Sequence, residues 1–133
     1  MIKREENPEY LNAFLDYNIT ILNKSPNTIK EYNYDLATFL RYIKILFKMT
    51  DEEDFGKVTI DDVDISTIKK ISLEDIHSYI SYTATTLRSK PTTRARKVSS
   101  IRVFFNYLSQ KAKLIDNNPA QNLETPKLRK TYP

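Results

Sequence analysis

Cysteine is absent from this sequence, and histidine (His77) and glycine (Gly56) occur once each. Each scarcity closes off a class of chemistry. Without cysteine there is no disulfide framework and no thiolate metal site. One histidine cannot furnish the ligand set of an all-protein zinc site. One glycine argues against tight hairpins, a phosphate-cradling loop or a doubly wound nucleotide fold, because these need positive backbone φ or close backbone approach. No apolar run approaches the roughly 20 residues of a membrane span. The N-terminal "MIKREENPEY" lacks the apolar stretch of a signal peptide. The expectation is a cytoplasmic all-α protein with no metal, no cofactor and no membrane partner.

What is present suits one globular domain. The 133 residues are 40% hydrophobic and 29% charged, enough for one core and hardly for two. Net charge is only +4, but it is unevenly spread. Residues 88–113 carry eight cations (Arg88, Lys90, Arg94, Arg96, Lys97, Arg102, Lys111, Lys113) and no acid. Residues 49–77 carry nine acids against three lysines. Such asymmetry fits one face for a polyanion and another turned away from it.

Hydrophobic spacing predicts helices. Asn7-Pro8 reads as an N-cap with proline at the first helical position. Leu11, Phe14, Leu15 and Leu22 then mark one face of a helix ending near Asn23. Ser25 caps and Pro26 opens a second helix, with a stripe of Ile29, Leu36, Phe39, Leu40, Ile43 and Phe47. "MTDEEDFGKVTIDDVDIS", residues 49–66, breaks the period and reads as an acidic surface loop. Its "VTIDDVDI" could extend, but a lone strand has nothing to pair with. A short helical turn is expected at Thr67 to Lys70. Ser72 caps a further helix, with Asp75 as a capping-box partner and Leu73, Ile76, Ile80 and Leu87 as its face. Thr92 or Thr93 starts a helix running to about Lys113, and Asn118-Pro119 starts a last short one through Leu123. "TPKLRKTYP" reads as a linker or tail. The sum is a compact bundle of four to five helices.

The segment "TTRARKVSSIRVFFNYLSQKAK", residues 92–113, poses the functional question. Val98, Ile101, Phe105, Leu108 and Ala112 cluster on one side of its helical wheel. Arg96, Ser99, Ser100, Val103 and Tyr107 fall opposite, with Lys97 and Arg102 flanking and Arg94 in the first turn. Free N–H groups, a favourable dipole, threonine hydroxyls and cations at a helix start suit phosphate. Arginine also matches the major-groove edge of guanine. A solvated cationic face is the plainer alternative. Phe104, with Val103 and Tyr107, widens the apolar surface, so the helix is either buried on two sides or meets a partner. The second helix start, "SPNTIKEY", offers Asn27, Thr28 and Lys30, with Tyr34 and Arg41 further along. Two such starts side by side could share one groove. The acids at 51–54 and 61–64 lack the spacing of a Ca2+ loop and read as a soluble loop repelled from DNA.

Three segments resemble the tyrosine recombinases and phage integrases. "SPNTIKEYNYDLATFLRYI" is similar to their S-x-N-T-x-x-x-Y-x-x-D-L-x-x-F segment. "TTRARKVSSIRVFFNYL" is similar to T-x-x-R-x-x-S-x-[IL]-R-x-F-[FY]-x-Y-L. "LIDNNPAQNLETPKL" is similar to I-x-x-N-P-A-x-x-[LI]-x-x-P-K. Together they cover most of residues 8–128 in order and register. The resemblance implies a SAM-like core-binding domain over residues 1–126 and a linker at 127–133; the acidic loop at 49–66 departs from it, being longer than the plainest members carry. It implies that the helices from Pro26 and from Thr92 or Thr93 cross the major groove. Thr28, Arg96 and Arg102 match family positions, whereas Lys97 stands where many members are apolar. The expected DNA-binding residues are Asn27, Thr28, Lys30, Tyr34, Arg41, Thr92, Thr93, Arg94, Arg96, Lys97, Ser100 and Arg102.

The family's catalysis requires an arginine, an H-x-x-R pair, a further histidine or tryptophan, and a tyrosine nucleophile. Here the one histidine lies in "HSYI", where a surface or boundary place is expected, and Tyr132 lies in the tail without such neighbours. The expectation is therefore a non-catalytic fragment of a longer recombinase, with double-stranded DNA and other protomers of a synaptic complex as partners. A helical protein-interaction module without DNA binding is the alternative. A small helix-turn-helix regulator fits less well, because the segments between helices are too long or wrongly placed.

Overall fold

The structure, a computed structural model, describes residues 3–127. It contains α1 (Glu9–Thr20), α2 (Pro26–Leu46), a single turn α3 (Ile65–Ile68), α4 (Leu73–Thr85) and α5 (Pro91–Asn106). A π-helical turn, Tyr107–Lys111, continues α5. Short 3-10 turns lie at Arg4–Glu6 and Phe55–Lys57, and no strand occurs among the described residues. The all-α bundle expected from composition and spacing is what forms.

Local chemistry explains most helix boundaries. Ser25 accepts the Thr28 N–H at 3.2 Å, and Pro26 occupies the first turn of α2. Ser72 and Asp75 complete a reciprocal capping box at the start of α4. Two starts depart from expectation. At α1, Pro8 is the N-cap, because the Asn7 amide is drawn to Asn12 and to Asn33 of α2, at 3.1 and 2.8 Å. At α5, neither Thr92 nor Thr93 caps. Pro91 is the first helical residue and forces Lys90 into an extended conformation, leaving that end without a side-chain cap.

The helices stop without glycine. Asn23, Lys48, Arg88 and Lys113 each adopt a left-handed φ between 50° and 57°. Beyond each, the next N–H returns to a carbonyl of the last turn, as in Lys24 to Asn18 and Leu114 to Leu108, both 2.9 Å. Leu22 and Leu87, expected on the buried faces, lie past the helix ends and are exposed.

The core is aromatic and aliphatic, with α2 packed against α1, α4 and α5. Leu11, Phe14, Leu15, Leu36, Phe39, Leu40, Ile43, Ile76, Tyr79, Ile101, Phe104, Phe105 and Leu108 are fully buried. Phe104 meets Phe14 edge-on at 5.4 Å, and Phe39 meets Phe105 at 6.1 Å. Helix α5 is thus buried on two sides, which accounts for the wide apolar surface of its sequence. Tyr107 meets Phe14 edge-on at 5.4 Å and lies tilted against Tyr17 at 5.2 Å, both from α1.

The acidic segment 49–66 is a docked strap, which corrects its reading as a simple surface loop. Val58, Ile60 and Val63 are buried, while the neighbouring Thr59, Asp61, Asp62 and Asp64 face out. Tyr10 donates its hydroxyl to the Val63 carbonyl at 2.8 Å, and Arg41 Nε donates to the Val58 carbonyl at 3.1 Å. The buried Lys44 ammonium reaches the Thr59 carbonyl at 2.9 Å and Asp62 at 2.7 Å. The helical turn that follows begins at Ile65, not Thr67, because the Asp64 carboxylate accepts the Thr67 N–H.

The expected last helix after Asn118-Pro119 is a turn. Asn118 Oδ1 accepts the Ala120 N–H at 2.9 Å, and Ala120 and Leu123 pack on the core. Asparagine and aspartate in "DNNPAQN" compete for backbone groups and favour turns over helix. The expected linker at 127–133 lies outside the described residues except for Lys127, and Tyr132 lies outside them entirely.

Candidate nucleic-acid interface

The starts of α2 and α5 are tied together by one buried carboxylate. Asp35 of α2 has no exposed side-chain surface. It accepts Arg96 Nε at 3.2 Å and Arg96 Nη2 at 2.8 Å, a bidentate pairing from α5. It also accepts the Ser100 hydroxyl at 2.8 Å and the Lys97 ammonium at 3.4 Å. The ring of Tyr34 covers Lys97, with the ammonium 4.9 Å from its centroid.

The two cations respond in opposite senses. The hydrogen bond to Asp35 raises the Arg96 guanidinium above its ordinary value, whereas burial lowers Lys97 despite the attraction of Asp35. The difference follows from position. Lys97 is 4% exposed, while the Arg96 side chain keeps 39% of its surface in solvent.

Contacts run in the same sense along the two helices. Asp35 meets residues 96–100, and Phe39, one turn later, meets Phe105. Both N-terminal turns therefore emerge at the same end of the bundle. At that end, Asn27 and Lys30 are exposed on α2, and Tyr34 one turn on is 61% exposed. Thr28 is half-buried, its hydroxyl 3.0 Å from that of Ser25. On α5, Thr92 is exposed and Thr93 half-buried, and neither backbone N–H has a partner among the described residues. Arg102 is exposed, with Nη1 3.3 Å from the Thr125 hydroxyl.

Besides Arg96, expected to be free for DNA but paired through Nε and Nη2 with the buried Asp35, four more of the expected contact residues are engaged within the fold. Lys97 and Ser100 are buried on Asp35 and present nothing to a partner, which removes them from the set. Arg41 is half-buried and holds the strap at Val58, about 10 Å along α2 from Tyr34. Arg94 is half-buried and donates Nη1 to the Ser89 carbonyl at 2.6 Å. The fold adds Lys24, Arg88 and Lys90, which are exposed beside the two helix starts. Their adjacency in sequence to Ser25 and Pro91 was the available signal. His77 is exposed on α4.

Glu31 lies 3.5 Å from the Asn27 amide in the first turns of α2, whereas the acids of the strap sit elsewhere. Asp62 is paired with Lys44, sixteen residues and roughly 24 Å along α2 from Thr28. The uneven charge of the sequence becomes in part a separation in space: Lys24, Lys30, Arg88, Lys90 and Arg96 lie near the helix starts and the acidic strap toward the far end of α2, while Lys111 and Lys113 lie at the other end of α5.

Comparison with known proteins agrees with this geometry. A model of the phage integrase N-terminal SAM-like domain matches residues 11–112. The chain is 45% identical over 127 residues to the tyrosine recombinase XerC of Caldanaerobacter subterraneus subsp. tengcongensis, covering 95% of this chain and 36% of that protein. It is 32% identical over 125 residues to XerC of Leptospira interrogans, covering 94% and 34%. It is 29% identical over 133 residues to XerD of Shewanella oneidensis, covering 100% and 38%. The chain spans about a third of the length of these relatives. No solved structure matches it. With a SAM-like helical bundle and a family match over most of its length, the chain belongs to the N-terminal SAM-like domain family of phage integrases and tyrosine recombinases.

Proposed function

We propose that this domain binds double-stranded DNA as the recognition half of a tyrosine recombinase that acts in the cytoplasm. Binding is led by phosphates at the starts of α2 and α5, through Asn27, Thr28, Lys30, Thr92, Thr93 and Arg96, with Tyr34 and Arg102 alongside. The same-end placement of the two cationic helix starts, away from the acidic strap, is the observation that carries this reading. Catalysis belongs to a separate domain of the parent recombinase, and other protomers of the synaptic complex are the protein partners. No described helix is long and apolar enough to cross a membrane.

Salt dependence tests the proposal. Affinity for duplex DNA should fall by about 0.9 decades per decade of salt for each phosphate neutralised. A flat response would remove the electrostatic basis of the reading. The competing interaction-module reading keeps one observation in its favour, the exposed Ile19, Ile21 and Leu22 at the end of α1. Gel filtration with and without duplex separates the two: self-association indifferent to DNA supports the competitor.

A further inference from the structure

Arg96 has two working edges, and the fold uses one. Its Nε and Nη2 are held by Asp35, while Nη1 has no hydrogen-bond partner among the described residues. The side chain lies at the boundary between core and solvent, 39% exposed. Asp35 itself cannot move to follow it, because Ser100 and Lys97 hold the same carboxylate from inside the core. Glu31 is the other carboxylate whose field reaches Arg96, and it makes no ion pair with it. The guanidinium is therefore planar, charged and fixed in direction before any ligand arrives.

We propose that Asp35 is a positioning residue for DNA binding: it clamps one fork of Arg96 so that the opposite Nη1 edge meets a DNA phosphate. This rests on the reading that the domain binds duplex DNA. Fixing the side chain beforehand lowers the rotamer entropy lost on binding, which for a free arginine is large. Lysine would not substitute, since an ammonium drawn onto the Asp35 carboxylate is a compact point charge with no second, fixed edge to present to a phosphate.

The test uses a mixed-sequence duplex, for which phosphate contacts supply essentially all of the affinity. Binding is measured over a salt series for the wild-type chain, Arg96→Lys, Arg96→Gln and the double variant Asp35→Asn/Lys97→Met, with circular dichroism melts beside each. The double variant loses one acid and one cation, so net charge is unchanged, while the charged anchor of Arg96 goes together with the Lys97 contact to the Tyr34 ring. It should bind roughly threefold or more weakly. Arg96→Lys keeps the charge but should lower the salt slope by about 0.9, as Arg96→Gln does. Arg96→Lys is a small change at a part-exposed site, so it decides the matter even if the double variant fails to fold. Wild-type slope in Arg96→Lys, or undiminished binding by a folded double variant, overturns the clamp while leaving DNA binding standing. Absence of salt-dependent binding by the wild-type chain overturns the DNA reading itself, and the clamp with it.

Discussion

Replacing Asp35 with alanine removes the acceptor of four hydrogen bonds from three side chains. The consequences differ by partner. Arg96, at 39% side-chain exposure, can turn into solvent, so its share is of the order of a surface pair, about 0–1 kcal/mol. Lys97 and Ser100, at 4% and 1% exposure, cannot follow. A stranded buried cation dominates the cost, and removing one partner of such a pair typically destabilises by about 3–5 kcal/mol. That is a large fraction of the roughly 5–15 kcal/mol that holds a domain folded. With a urea slope of about 2 kcal/mol/M, the unfolding midpoint should fall by roughly 2 M.

A second background isolates the mechanism. In Lys97→Met the buried charge is already gone, so the further loss of Asp35 should cost at least about 1 kcal/mol less than in the wild type. High salt should not rescue Asp35→Ala, because a buried pair is poorly screened. A cost below about 1 kcal/mol, or one indifferent to Lys97, would refute the view that stranded charge sets the penalty.

The left-handed helix ends offer the converse test: Lys48→Gly and Lys113→Gly should each stabilise by about 0.5–1 kcal/mol in urea, since φ of 57° and 53° strains a side chain that glycine lacks. Ile60→Ala, at 2% exposure in the strap, should cost about 2–4 kcal/mol; below about 0.5 kcal/mol the strap would not belong to the core. The Ser66 hydroxyl and Thr67 N–H hold Asp64 below its ordinary value of 3.8. A lowered carboxyl gives its full stabilisation above that value and loses it as pH falls through the folded value, so acid titrations should show Asp64→Asn with a flatter branch below pH 3.8. Identical acid branches would remove Asp64 from the linkage.

Much of this protein was legible along the chain because the forces involved are short-ranged. Ser25 and Pro26, or Ser72 and Asp75, start helices through bonds between residues three apart. The apolar stripe of α2 repeats with the helix period, so its buried face could be read before any partner was known. The scarcity of glycine already pointed to helices. The charge asymmetry pointed to a polyanion-facing side.

The division of labour among the cations was not legible, because it is set by a contact across sixty-one residues. Asp35 sits beside Leu36 in the buried stripe, and a carboxylate in such a stripe was the one hint that a partner must exist. Which cations answer it depends on how α5 crosses α2. Lys97 and Ser100 turn inward, and Arg96 is shared between core and surface. The strap tells the same story. Its acids look like a solvated loop until Val58, Ile60 and Val63 find the groove beside α1 and α2. Spacing along a chain assigns a residue to a helix face. Only packing says what lies opposite that face, and a charge changes its role with what it meets there.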